Sequence, residues 1–174
     1  ERLFEYGTPL GHLTHFPASF RRHRREELRH IVLIDAPDID SHVPEHREQV
    51  MQLLPVVDVV LYVVTPESYK NDRGWQTVLT ERGRRAFAFV MNKWDREGKR
   101  RIPAGQADVD DDFLALLQQG GYDNPLLFRV SAAYWVARHQ NEVAELVPAE
   151  GEQFPELQRW LMRELSTSRI ETIQ

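Results

Sequence analysis

Three short polar clusters have the residue types for chemistry: Asp35-Ala36-Pro37-Asp38, Asn92-Lys93-Trp94-Asp95 and Ser131-Ala132-Ala133. Each stands at the carboxyl end of an apolar run of strand length. Together they offer carboxylates, an amide, an ammonium and a hydroxyl, the groups that hydrogen-bond a polar ligand or meet a hard cation. In open α/β sheets, ligands bind in the crevice outside the carboxyl ends of the strands. One such ending would mean little; three on adjacent parallel strands would converge on a single binding edge.

The elements that must position them read as follows. His30-Ile31-Val32-Leu33-Ile34-Asp35 is a continuous β-branched run, the pattern of a strand covered on both faces. Residues 44–54 read as a helix with Val50, Leu53 and Leu54 on its inner face. Residues 56–64 form a second buried run, ended by Thr65-Pro66. Residues 71–82 are helical, presenting Trp75, Val78 and Leu79 at i, i+3 and i+4, with Gly83 as the C-terminal stop. The third strand is 86–91. A polar loop and then Asp108, Asp110, Asp111 and Asp112 introduce a helix whose acidic start suits the helix dipole, and Gly120-Gly121 ends it. Residues 125–130 are the fourth strand, with helices over 135–146 and 154–165; in the last, Leu157, Trp160, Leu161 and Leu165 form one stripe. Strands alternating with helices predict an α/β three-layer sandwich around a mainly parallel sheet.

Composition bounds the rest. A chain of 174 residues, 41% hydrophobic and 28% charged, suits one domain with a full core. A net charge of −5 argues against nucleic acid or an anionic membrane surface as partner. The absence of cysteine excludes disulfides and thiolate metal sites and agrees with a reducing, cytoplasmic setting. No apolar stretch approaches the roughly 20 residues that span a bilayer, and no signal-peptide pattern is present.

In order and spacing the three clusters resemble the back half of a P-loop GTPase, over residues 30–165. Asp35-Ala36-Pro37-Asp38 is similar to the third GTPase motif, Asp-x-x-Gly; Asn92-Lys93-Trp94-Asp95 to the fourth, Asn-Lys-x-Asp; Ser131-Ala132 to the fifth. The proline in the first cluster and the C-terminal helix resemble the Era-like or bacterial dynamin-like branch. The resemblance implies a G domain over 1–165, with a tail, 166–174, leading toward a further domain. It implies GTP or GDP as ligand, with Mg²⁺ held through water by Asp35. Asp95 would accept from the N1–H and exocyclic amine of guanine, two charge-assisted bonds that adenine cannot return. The stem of Lys93 would lie along the base, Asn92 would tie its loop to the phosphate loop, and the N–H of Ala132 would meet the base carbonyl. A protein effector or self-association would be the partner, and membrane contact would need other segments.

Two departures shape the expectation. No Gly-x-x-x-x-Gly-Lys-Ser/Thr occurs in the chain, although that loop cradles the phosphates in the family. The chain opens on Glu1 rather than Met, and the phosphate loop with its central strand is expected before it. Asp38 replaces the motif glycine, setting a carboxylate near a triphosphate. No catalytic residue can be named. Mg²⁺-dependent hydrolysis is therefore expected only of a protein that supplies the loop; a non-catalytic pseudo-GTPase used for protein contact is the alternative, and an unrelated α/β interaction domain the third reading.

Other patterns have blander explanations. The arginines of 20–29 read as a solvated edge. His42 and His46 stand at i, i+4 but lack a third ligand. The aspartates of 108–112 lack the alternation of a calcium loop.

Overall fold

The computed structural model describes residues 24, 26–29, 31–94, 108–140 and 149–165. The chain divides into two compact units, Glu1–Asp58 and Val59–Gln174. Half of the stretch 20–29 and all of the tail 166–174 fall outside the described residues.

In the first unit, a 3₁₀ turn at Glu26–Leu28 precedes a run, 31–38, that is neither helix nor strand. This corrects the expectation of a buried strand over 30–35. Val32 is 56% exposed and Leu33 75%. A β-branched run reports a preference for a pleated, half-buried surface, but a strand exists only where a neighbour takes its N–H and C=O groups. Among the described residues of this unit there is no such neighbour. Helix α1, Pro44–Leu53, starts as expected, with proline in its first turn where no N–H is needed. Ser41 prepares that start: its Oγ accepts from the N–H of Val43 at 3.2 Å and lies 2.9 Å from His46 Nδ1. His46 thus serves a turn. A second 3₁₀ turn, Leu54–Val56, follows directly.

The second unit holds the sheet. Strand β1, Val59–Val64, starts three residues later than expected because Val56 belongs to the preceding turn. Helix α2, Asp72–Glu81, leads to strand β2, Ala86–Met91. Helix α3, Val109–Gln119, leads to strand β3, Leu127–Arg129. Helix α4, Ala132–His139, starts earlier than the expected 135, and residues 141–148 lie outside the description. Helix α5, Phe154–Arg159, continues as a π-helical turn, Trp160–Glu164, closed by Leu165 N–H on the carbonyl of Trp160. The three strands are parallel in the order β1-β2-β3, with Val59 opposite Ala86 and Phe89 opposite Leu127. The α/β class is as expected.

Alternation along β2 divides the core into two layers. Phe87, Phe89 and Met91 face one cluster with Val78 of α2 and Phe113 and Leu117 of α3. Ala88 and Val90 face the other, with Phe128, Leu157 and Trp160. Leu161 and Leu165 pack against this second cluster, so the C-terminal stripe is core, as its spacing implies. Phe89 meets Phe113 edge-on at 6.1 Å and Tyr122 at 5.1 Å, the geometry that ring quadrupoles favour.

Helix ends follow local chemistry. Gly83 (φ +79°) and Gly121 (φ +87°) take the left-handed conformation that closes α2 and α3. The Arg82 guanidinium donates to the Gly120 carbonyl at the negative end of α3. Asp108 caps the start of α3 by accepting from Val109 N–H at 2.8 Å. In the next turn, Asp112 accepts from the Tyr69 hydroxyl and pairs with Lys70 at 2.7 Å, binding the β1–α2 loop to α3.

Two predictions follow from this packing. Phe89 is fully buried, so Phe89→Ala should lower unfolding free energy by about 3–5 kcal/mol, the range for deleting a buried aromatic ring. Urea denaturation of the full chain measures it. Burial pushes the Tyr122 phenol up to about 12 against the opposing charge of Arg82, and Tyr69 shifts up for the same first cause. The folded chain therefore keeps protons that unfolded tyrosines release near ~10, and stability is lost as pH rises from about 10 toward about 12. Tyr122→Phe should flatten that decline; an unchanged slope in denaturant titrations across this window would refute the assignment.

Candidate functional site

The second and third polar clusters leave the sheet side by side. Asn92 follows β2 and Ser131 lies just beyond β3, at the carboxyl ends of neighbouring parallel strands. The backbone staples the loop after β2 on both flanks. Asn92 N–H donates to Val64 O at 2.8 Å, Val130 N–H to Met91 O at 2.8 Å, and Trp94 N–H to Val130 O at 3.1 Å.

Side chains then fix the loop. The amide oxygen of Asn92 accepts from Lys93 N–H at 2.8 Å and Ala132 N–H at 3.2 Å. Both partners are donors, so the orientation of the amide is dictated by its neighbours. Lys93 has φ +61°, the one left-handed non-glycine among the described residues. That conformation is unfavourable for an L-residue with a full side chain, and strained backbone clusters at sites of function. The Lys93 ammonium lies 3.6 Å from Glu67 of the β1–α2 loop, a half-exposed pair. Such pairs orient a side chain more than they stabilise a fold.

Trp94, the variable residue of its motif, anchors the loop. It is buried, donates its indole N–H to Glu150 O at 2.7 Å and carries the Arg129 guanidinium at 5.4 Å from its ring. Arg129 in turn pairs with the buried carboxylate of Asp110. The strand–loop junction is thus fixed by an aromatic and a partly buried ion pair.

Ser131 stands at the N-cap of α4, yet its hydroxyl makes no capping bond. It is fully buried and has no hydrogen-bond partner. The backbone of this N-cap residue is held by Glu152, whose Oε1 accepts from Ser131 N–H at 3.3 Å, Trp135 Nε1–H at 2.9 Å and Phe154 N–H at 3.1 Å. Gln153 secures the same segment to β3: its N–H donates to Arg129 O at 2.7 Å and its Oε1 accepts from Arg129 N–H at 3.1 Å. Sequence reasoning missed Glu152 and Glu67. Glu152 stands one residue outside the N-cap Gln153, where no start signal is expected, and nothing in the pattern announces its long-range bonds.

Of the predicted residues, the structure brings together Asn92, Lys93, Ser131 and Ala132. Asp95 lies outside the described residues. Asp35 and Asp38 belong to the other compact unit, and both are exposed. The Asp38 carboxylate accepts from Asp40 N–H at 2.9 Å, a local turn that any aspartate could make. As a donor, Asp35 suits a hard cation approached through water. No group of three or more metal-ligating side chains occurs among the described residues. No described helix is long and apolar enough to cross a membrane. Comparisons with protein-family models, curated proteins and solved structures return no match.

The strain at Lys93 generates a prediction. Glycine takes φ > 0 without penalty, so Lys93→Gly should raise unfolding free energy by about 0.5–1 kcal/mol while removing the side chain at the strand edge. Chemical denaturation checks it; a loss of stability would mean that the Lys93 stem contributes more by packing than its backbone strain removes.

Proposed function

We propose that this chain is a guanine-nucleotide-binding part of a P-loop GTPase, in the Era-like or bacterial dynamin-like manner. One observation carries the reading. The two segments that the sequence assigns to base recognition, Asn92-Lys93-Trp94-Asp95 and Ser131-Ala132, meet through a hydrogen bond from Ala132 N–H to the Asn92 amide oxygen. They do so at the ligand-binding end of a parallel sheet. Asp95 gives the specificity, a carboxylate for the N1–H and exocyclic amine of guanine. Ala132 N–H reads the base carbonyl; its bond to Asn92 is the longer of that oxygen's two and is the one a base can share. The Lys93 stem covers the base.

Phosphate chemistry stands apart from base reading. Catalysis of phosphoryl transfer is mainly positioning and electrostatics on the phosphates, and the 174 residues contain no phosphate loop. Hydrolysis belongs to a protein that supplies the loop, with Asp35 holding Mg²⁺ through water and the first, phosphate-loop strand completing the sheet. Asp38 in place of the motif glycine favours the second reading, a pseudo-GTPase that binds nucleotide or partner without turnover.

Calorimetry of the full-length protein with GTP, GDP and ATP tests base reading. The expected result is binding of both guanine nucleotides and a preference over ATP of several orders of magnitude, abolished in Asp95→Ala. Equal binding of ATP, or an Asp95→Ala protein that still prefers guanine, would sink the assignment. A phosphate-release assay then separates GTPase from pseudo-GTPase.

A further inference from the structure

We propose that Glu152 is a positioning residue for base recognition, presenting the Ser131–Ala132 turn to the base carbonyl; the role rests on the guanine-nucleotide reading above. Ordinary side-chain capping is absent at the start of α4. A helix start leaves backbone N–H groups without partners, and a serine at the N-cap usually supplies an oxygen for one of them. Ser131 occupies that position in α4 and supplies none. Its own N–H is instead taken by the Glu152 carboxylate, 21 residues away in the chain.

That carboxylate is itself immobilised. Its Oε1 holds Phe154 N–H and the Trp135 indole N–H as well as Ser131 N–H. The Trp135 ring stacks on Phe154 at 5.1 Å with 22° between planes, and Arg138 lies 5.2 Å from the Trp135 centroid. Three donors on one oxygen from three places in the chain leave the turn little freedom. Asn92 holds the next N–H, that of Ala132, from the opposite flank. Two side-chain oxygens thus bracket the consecutive amides of Ser131 and Ala132.

Ala132 N–H meets the Asn92 amide oxygen and, in the proposed complex, a base carbonyl. Fixing a donor before the ligand arrives also removes an ordering cost from binding.

The test uses the full-length protein, with GDP, IDP and ADP as probes in calorimetry. IDP keeps the base carbonyl but lacks the exocyclic amine. Glu152→Ala should weaken GDP and IDP by the same factor, about tenfold, and narrow the preference for GDP over ADP. Glu152→Gln, which retains an acceptor oxygen, should stay within about threefold of the unsubstituted protein. Trp135→Phe, which removes one donor and keeps an aromatic ring at that position, should fall between them. Asp95→Ala provides the contrast, because it should penalise GDP more than IDP. Unchanged GDP affinity in Glu152→Ala, or a Gln variant as weak as the Ala variant, overturns the proposal while leaving guanine binding intact. Failure of the unsubstituted protein to bind GDP overturns the guanine reading itself, and the proposal with it.

Discussion

The second unit depends on one constraint: β2 is enclosed on every side. All six of its residues are buried, between two hydrophobic layers and between two parallel neighbours. A strand so enclosed can carry polar groups only where it ends. Its first polar residue, Asn92, therefore appears at the carboxyl end, and the chain must there satisfy buried backbone and change direction at once. The left-handed Lys93 and the buried Trp94 are the local solution. The site is a consequence of how a fully buried strand terminates.

From that point the arrangement is built of acceptors. Asn92 offers one oxygen to two N–H groups, and Glu152 one oxygen to three. Buried polar groups are expensive unless hydrogen-bonded; these two side chains answer for the N–H groups of Lys93, Ser131 and Ala132, and backbone carbonyls for those of Asn92, Trp94 and Val130. Ser131 Oγ is the exception, enclosed and without a partner. The loops are thereby held in place before any ligand arrives.

Much of this was legible in the sequence, and the failures have physical causes. The limits of β2 are those expected, because an apolar run bounded by Arg85 and Asn92 leaves no other placement. The acidic start of α3 and the left-handed glycines after α2 and α3 also follow from local chemistry. The run at 30–35 misled because hydrophobic periodicity measures a tendency to be buried and is silent about pairing. Val32 and Leu33 carry the strand signal without a ladder. Glu152 was invisible for a different reason: its partners lie up to 21 residues away, and long-range hydrogen bonds leave no period to read.

Base reading and phosphate chemistry separate along the same line as the structure. The residues proposed to read the base stand on strands that pack, pair and cap one another within one compact unit. Those proposed for Mg²⁺ and the γ-phosphate, Asp35 and Asp38, stand in the other unit, on exposed backbone without a ladder. An Asp35 carboxylate can approach Mg²⁺ only if its backbone is held, and in the proposed fold the holding element would be the phosphate-loop strand. The same strand would supply the ladder that 30–35 lacks. In the proposed function, phosphate chemistry would then depend on that strand, and base reading on the residues of the second unit.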